Sequence, residues 1–220
     1  MAAAVVIGVG PGIGLAVADR FAREGLPVAV IARSEATVRS AAEEIGRRGR
    51  KVMALTADST DEAGLHAALD VVAAELGPID SVIYNAALIR PDGPGELNAQ
   101  GQLDAWAVNV VGALSAAAHV APGMAERGHG SILITGGIPQ VNPGYISLSL
   151  GKFGVRTLVS LLDANFGAAG VHVASVTVTG AVAPGTEFDP DDIAAHYWRL
   201  HNQPRGAWEY EVVHGGTPAA

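Results

Sequence analysis

The stretch Ala3–Gly14 reads A-A-V-V-I-G-V-G-P-G-I-G. An apolar run, Ala3–Ile7, passes straight into a glycine cluster, the pattern of a buried strand that ends in a tight turn. Beyond it, Ile13, Val17 and Phe21 recur at helical spacing, with Asp19, Arg20 and Arg23 on the other side. This predicts a helix that stops at Gly25. Glycines in such a turn let the backbone approach a ligand, and the first N–H groups of the helix are free to bind an anion. The spacing is not G-x-G-x-x-G, because a start at Gly8 puts Ile13 at the third glycine and a start at Gly10 puts Leu15 there. It is not a P-loop either, since no Gly-Lys-Ser/Thr follows. It fits G-x-x-x-G-x-G through Gly8, Gly12 and Gly14, which sets these glycines and Ile13 around a pyrophosphate. The plain alternative is a strand-to-helix turn without a ligand.

Working outward, strand and helix alternate strictly. Leu26–Ala32, Lys51–Ala57, Ile79–Tyr84, Ser131–Thr135 and His172–Thr179 read as strands. Helices are expected from Ser34 to about Arg48, from Thr60 or Asp61 to Leu76, and over Leu103–Arg127, Ile146–Ala168 and Asp189–Leu200. Such alternation predicts an α/β fold, a doubly wound parallel sheet of the Rossmann type. No linker or repeat divides the chain, so 1–220 reads as one domain, with Ala181–Asp192 a loop and 215–220 a loose tail.

Composition narrows the class without naming the chemistry. The 220 residues include 28 Gly and no Cys, which excludes disulfide scaffolds, zinc ribbons and cysteine nucleophiles. The net charge of −8, without a long basic run, favours neither nucleic acid nor an anionic membrane. Mean hydropathy is +0.29, yet Gly, Pro or charge breaks each apolar stretch before a spanning length. Met1–Val6 carries no basic leader, so a cytoplasmic protein is expected. His196 and His201 are five apart rather than four, with no H-E-x-x-H, so no metal site is expected. The seven histidines read as surface or packing residues, and the aromatic cluster Trp198, Trp208 and Tyr210 as packing or a subunit interface.

The glycine spacing resembles the T-G-x-x-x-G-x-G motif of the short-chain dehydrogenase/reductase family, with Ile7 in place of Thr and Pro11 removing one N–H donor. Asn85-Ala86-Ala87 is similar to the family's N-N-A-G, with Tyr84 and Ala87 as departures. Asp58 matches the family residue that contacts adenine. At the end of the second strand, Arg33 and Ser34 stand where a carboxylate would favour NAD. An Arg there can bond the 2′-phosphate instead, so NADP is favoured over NAD. A solvated charge at a helix start is the plain reading of Arg33.

The resemblance implies a Tyr and a Lys four residues apart on one helix face, a Ser after the preceding strand, and an Asn on the long helix for a proton relay. Lys152 and Asn109 match. Leu148 stands at the Tyr and Gly137 at the Ser, with Thr135 the only hydroxyl nearby. Tyr145 could replace the acid if Pro143-Gly144 holds it in a loop; otherwise it packs. Asn109 could equally be a helix-kink residue. Ser147 and Ser149 have no evident activating base. The family's substrate lid would follow Thr179-Gly180 and is short here, implying an open site or one completed by a partner subunit. The resemblance further implies a homodimer or homotetramer through the helices near 103–127 and 146–168. The reading is an NADP-dependent carbonyl/alcohol oxidoreductase acting on a small molecule. The alternatives are a cofactor-binding sensor or scaffold, and a non-redox catalyst on the same fold.

Overall fold

The computed structural model describes residues 2–215, so the expected tail lies, beyond Gly215 itself, outside the described residues. Seven short strands form one sheet in the order β3-β2-β1-β4-β5-β6-β7. They are β1 (Ala3–Ile7), β2 (Val28–Ala32), β3 (Val52–Thr56), β4 (Ile79–Tyr84), β5 (Gly130–Thr135), β6 (Val171–Val178) and β7 (Glu211–His214). Every pairing is parallel. The central strands are apolar on both faces because both are covered: each residue of β1 and of β6 is buried.

The helices are α1 (Ile13–Arg23), α2 (Glu35–Arg47), α3 (Glu62–Leu76), α4 (Ala99–Trp106), α5 (Gly112–Arg127), α6 (Ile146–Phe166) and α7 (Pro190–His201). Alternate strand residues face opposite layers. Val6, Val30 and Leu133 pack with Phe21 of α1, Ile45 of α2 and Tyr197 of α7. Val5, Ile31 and Ile132 pack with Leu65 of α3, Ala116 of α5 and Val155 of α6. The chain steps outward from β1 to β3, then returns to place β4 beside β1. The strand order therefore reverses between β1 and β4, where open α/β sheets present a crevice at their carboxyl edge.

Several expectations are corrected. The long helix starts at Ala99, not Leu103, because Asn98 caps it by accepting from Gly101 N. It runs to Arg127 through a π-helical turn at Ala107–Val111. It is long and apolar enough to cross a membrane, but half of its most apolar window is buried inside the protein. The strand β7 was not expected: Val212 is its only buried residue, so it has no apolar run to read. In the aromatic cluster, Trp198 meets Phe21 edge-on at 5.2 Å between centroids, and Trp208 stacks on His172 at 4.9 Å. Both rings pack within the chain.

Candidate cofactor and active site

At the β1–α1 turn the backbone makes the site. Gly8 has φ +92, and a Cβ there would overlap the backbone of Ala86 in the loop after β4. A Cβ on Gly14 would fall 2.6 Å from Gly8 O, so this glycine allows α1 to start directly against the turn. The Asn85 side chain locks the approach: Nδ2 donates to Gly8 O at 2.8 Å, and Oδ1 accepts from Thr135 Oγ1 at 2.8 Å. Gly12 offers no side-chain cap, and the first turn of α1 carries no acidic residue. The leading N–H groups of α1 therefore face an anion site with no competing carboxylate.

A cavity of about 1430 Å³ opens over the carboxyl ends of the strands. Gly8, Gly10, Gly12 and Ile13 line it, with Arg33 and Ser34 beside the end of β2, Asn85 and Ala86 after β4, and Tyr145, Leu148 and Lys152 from α6. Among the described residues, Arg33 and Lys152 are the only charged ones in its lining, although the chain has 22 acids against 14 Lys and Arg.

Three predicted site residues do not line it. Gly14 is a packing glycine, as its contact with Gly8 explains. Asp58 turns its carboxylate onto Thr60, accepting from Thr60 N at 2.9 Å and Oγ1 at 2.8 Å. Its neighbours Ala57 and Ser59 form that wall instead. Asn109 is buried within the π turn, where Oδ1 accepts from Leu88 N at 2.9 Å and Nδ2 donates to Leu88 O at 3.3 Å. Both ends of this amide are used to hold the loop after β4, so Asn109 is a positioning residue. Gly10, outside the motif, lines the cavity.

At the other end side chains carry the chemistry. Lys152 is buried, and Nζ donates to Thr135 O at 2.8 Å. Burial lowers its pKa to about 8, because removal from water penalises the ammonium. Leu148 lies one turn earlier on α6, also buried in the cavity wall, so no ionisable group shares the face of Lys152 at that spacing. A Cβ on Gly137 would sit 3.6 Å from Lys152 Cε, so position 137 does adjoin the lysine and has room for a small side chain.

Thr135 is not the missing hydroxyl. Its Oγ1 bonds Asn85 and, at 2.7 Å, Tyr197 OH of α7, on the opposite face of the sheet from α6. Burial pushes the Tyr197 phenol well up, removing it as an acid at neutral pH. Ser149 is spent on Asn142 and Ser147 on Asp92. Tyr145 remains. It caps α6 with ψ 59, outside helical geometry, so the seven-residue spacing to Lys152 does not stack the phenol along the helix axis. Tyr145 lines the same cavity as Lys152.

Sequence reasoning missed what holds this end in place. Asp92 is buried; its carboxylate accepts from Ser147 N at 3.0 Å and Ser147 Oγ at 2.9 Å. Its backbone bonds Gly144 O and Ile146 N. Burial alone would raise the Asp92 pKa, but the two Ser147 donors, Gln102 and the nearby Arg90 charge together outweigh it and hold the carboxyl below its usual range. An anion at the first turn of α6 also suits the helix dipole. The pair is 55 residues apart, so no local pattern marks it. The loop between β5 and α6 carries one strained residue, Ile138 at φ 48, a region β-branched side chains avoid.

Comparison with known proteins agrees with this architecture. The model of the short chain dehydrogenase family matches residues 2–191. Glycine betaine reductase ATRR of Emericella nidulans is 30% identical over 96% of this chain, which spans only 18% of that longer enzyme. A short-chain dehydrogenase from Rhodopseudomonas palustris superposes with a TM-score of 0.88 at 25% identity, over 98% of this chain and 99% of that one. An actinorhodin polyketide ketoreductase, solved with NADPH, superposes at 0.89 with 24% identity, over 96% and 94%. With a family match over nearly its whole length, on a parallel sheet whose first turn is built from Gly8 and Gly12, this chain belongs to the short-chain dehydrogenase/reductase family.

Proposed function

We propose that this protein binds NADP(H) and interconverts a carbonyl and an alcohol. The observation that carries the reading is the charge pattern of the cavity: Arg33 at one end, Lys152 at the other and no acid between them. The absence of a carboxylate suits a polyanionic dinucleotide, and Arg33 supplies a fork for a 2′-phosphate. The solved polyketide ketoreductase carries NADPH, which supports the same cofactor here.

When bound, the cofactor supplies a hydride to the carbonyl carbon. The leading N–H groups of α1 would hold its pyrophosphate, and the Lys152 ammonium would bond its ribose hydroxyls. Tyr145 gives its phenolic proton to the carbonyl oxygen in reduction and takes it back in oxidation. Asn109 keeps the Leu88 loop against the reacting centre through its two backbone bonds. Exposed apolar residues on the paired helices, among them Leu103, Trp106 and Leu114 on α4–α5 and Leu150 and Leu161 on α6, suit burial against a second copy. We assign the protein as a homodimer or a higher homo-oligomer through this face, which sedimentation tests directly.

The reading is tested by titrating NADPH and NADH and following NADPH oxidation across a carbonyl panel. Tight NADPH binding with turnover that falls at least tenfold in Tyr145→Phe supports it. Tight binding without any turnover favours the second reading, a cofactor-binding sensor, which Leu148 and Gly137 at the two missing positions specifically support.

A further inference from the structure

The lining divides by origin. Loops after β2 and β3 supply the end with Arg33, Ser34 and Thr37, whereas loops after β4, β5 and β6 and the start of α6 supply the end with Lys152. In that second end, Leu88, Ile138, Pro139, Leu148 and Ala181 make an apolar wall. Its polar side chains are few and mostly engaged. Asn142 accepts from Gly144 N through its amide oxygen, Thr179 donates to His214 O, and Lys152 is held on Thr135 O, leaving Gln140, Tyr145 and the Asn142 amide nitrogen as the side-chain polar groups with no partner among the described residues.

The mouth adds an independent observation. Ile89, Val141 and Val182 all line the cavity, yet they are 69%, 73% and 37% exposed. They come from three different loops, after β4, β5 and β6. Val182 also reaches toward the glycine turn, its Cγ1 lying 3.6 Å from where a Cβ on Gly12 would be. Large aliphatic residues from three loops give the opening an exposed apolar rim.

Resting on the oxidoreductase reading above, we infer that the substrate is an uncharged, predominantly hydrocarbon ketone, aldehyde or alcohol, seated between the apolar wall and this rim. A carboxylate or phosphate finds no cation in that end besides Lys152, which is buried and held. A sugar or polyol would bury hydroxyls against Leu and Val with too few partners, and an unpaired buried hydroxyl is strongly disfavoured. One carbonyl oxygen needs only one donor, and Tyr145, which lines this end, carries one.

The test uses a medium-chain keto acid and its methyl ester, which share the carbonyl and differ in charge. Displacement of Nile red, a neutral apolar dye, reads binding without turnover; NADPH oxidation reads turnover. The ester is expected to displace the dye and to be reduced with a kcat/KM at least thirtyfold above the acid. Val141→Asp and Ile89→Asp, both on the exposed rim, should raise the ester's KM about tenfold each while NADPH affinity and the melting temperature stay unchanged. Equal competition by the acid, no dye binding at all, or unchanged ester binding in both Asp variants overturns the inference. Ester-specific displacement without NADPH oxidation upholds the apolar site and overturns the redox reading, so the two fail separately.

Discussion

The two ends of the cleft are built from different materials. Beside β1 the cleft is built from backbone: Gly8 and Gly12 sit in the turn, and α1 begins there without a side-chain cap. Beside α6 the work falls to side chains, with Lys152 buried on Thr135 O and Tyr145 at the helix cap. A backbone site needs only that certain positions lack a Cβ, so on the proposed reading it tolerates Ile7 in place of a hydroxyl residue and Pro11 within the turn. A side-chain site needs a given functional group at a given place, and Leu148 and Gly137 remove two of them at once. The comparison teaches that a backbone-built end and a side-chain-built end of one cavity tolerate different departures from the family motif.

The sharpest way to break the backbone end is Gly8→Val. The new Cβ would overlap Ala86, and a β-branched residue at φ +92 is strained wherever it lies. The two effects together should cost about 3–5 kcal/mol and abolish NADPH binding. A melt that shows a wild-type transition, with binding intact, would mean that the turn does not depend on this glycine.

Lys152→Met breaks the other end, and its two readouts should move in opposite directions. Carbonyl reduction should fall at least about a hundredfold as the ammonium is lost from the ribose and the acid. Stability at neutral pH should rise. The folded pKa of about 8 lies below the unfolded 10.5, so between these values the unfolded chain holds more protons and stability climbs with pH. Below about pH 8 both states are protonated and the full cost of the buried ammonium is present. That gap corresponds to about 3 kcal/mol, from which the unpaired Thr135 carbonyl takes back about 1. The Met variant without cofactor should therefore melt several degrees higher at pH 7, and the difference should shrink as pH rises from 8 to 10.5. A variant less stable than wild type at pH 7 would show that the ammonium is not a burden on the fold.

Legibility followed the same division. Gly8, Gly12, Ile13, Asn85 and Lys152 were readable because motif spacing encodes backbone shape and helix faces, which are local. The parallel sheet was readable because apolar runs alternate with helical periods. Gly14 and Asp58 do not line the cavity, because the motif gives a position and not the direction a group faces: one packs on Gly8 O, the other bends onto Thr60. Thr135 does line the cavity, but its hydroxyl is engaged by Asn85 and by Tyr197, partners that motif spacing does not reveal. Asp92 on Ser147, and β7 with its lone buried Val212, depend on partners distant in the chain and leave no periodic trace.

A smaller effect separates the phosphate ends of NADP and NAD. Removing Arg33, exposed in the cavity wall, should weaken NADPH about 10–100-fold, as expected for a charge-assisted contact, and leave NADH nearly unchanged. Equal loss for both cofactors would move Arg33 from the 2′-phosphate to a general role in charge attraction.

The smallest expected effect bears most directly on the comparison. Leu148→Tyr with Gly137→Ser returns both hydroxyls to the wall that holds Lys152. Space permits it: a Cβ at Gly137 meets Lys152 Cε at an ordinary 3.6 Å, and Leu148 already borders the cavity one helical turn from the lysine. The restored phenol would sit beside an ammonium that lowers its pKa, a better acid than Tyr145 at the helix cap. About a tenfold gain in carbonyl reduction, at unchanged NADPH affinity, would mean that the α6 end kept its shape and lost only functional groups. No gain, with NADPH still bound and the fold intact, would mean that the loop from Gly136 to Tyr145, with Ile138 strained at φ 48, no longer presents a carbonyl to that wall. In that case the difference between the two ends lies in architecture, and the cofactor end serves binding without hydride transfer.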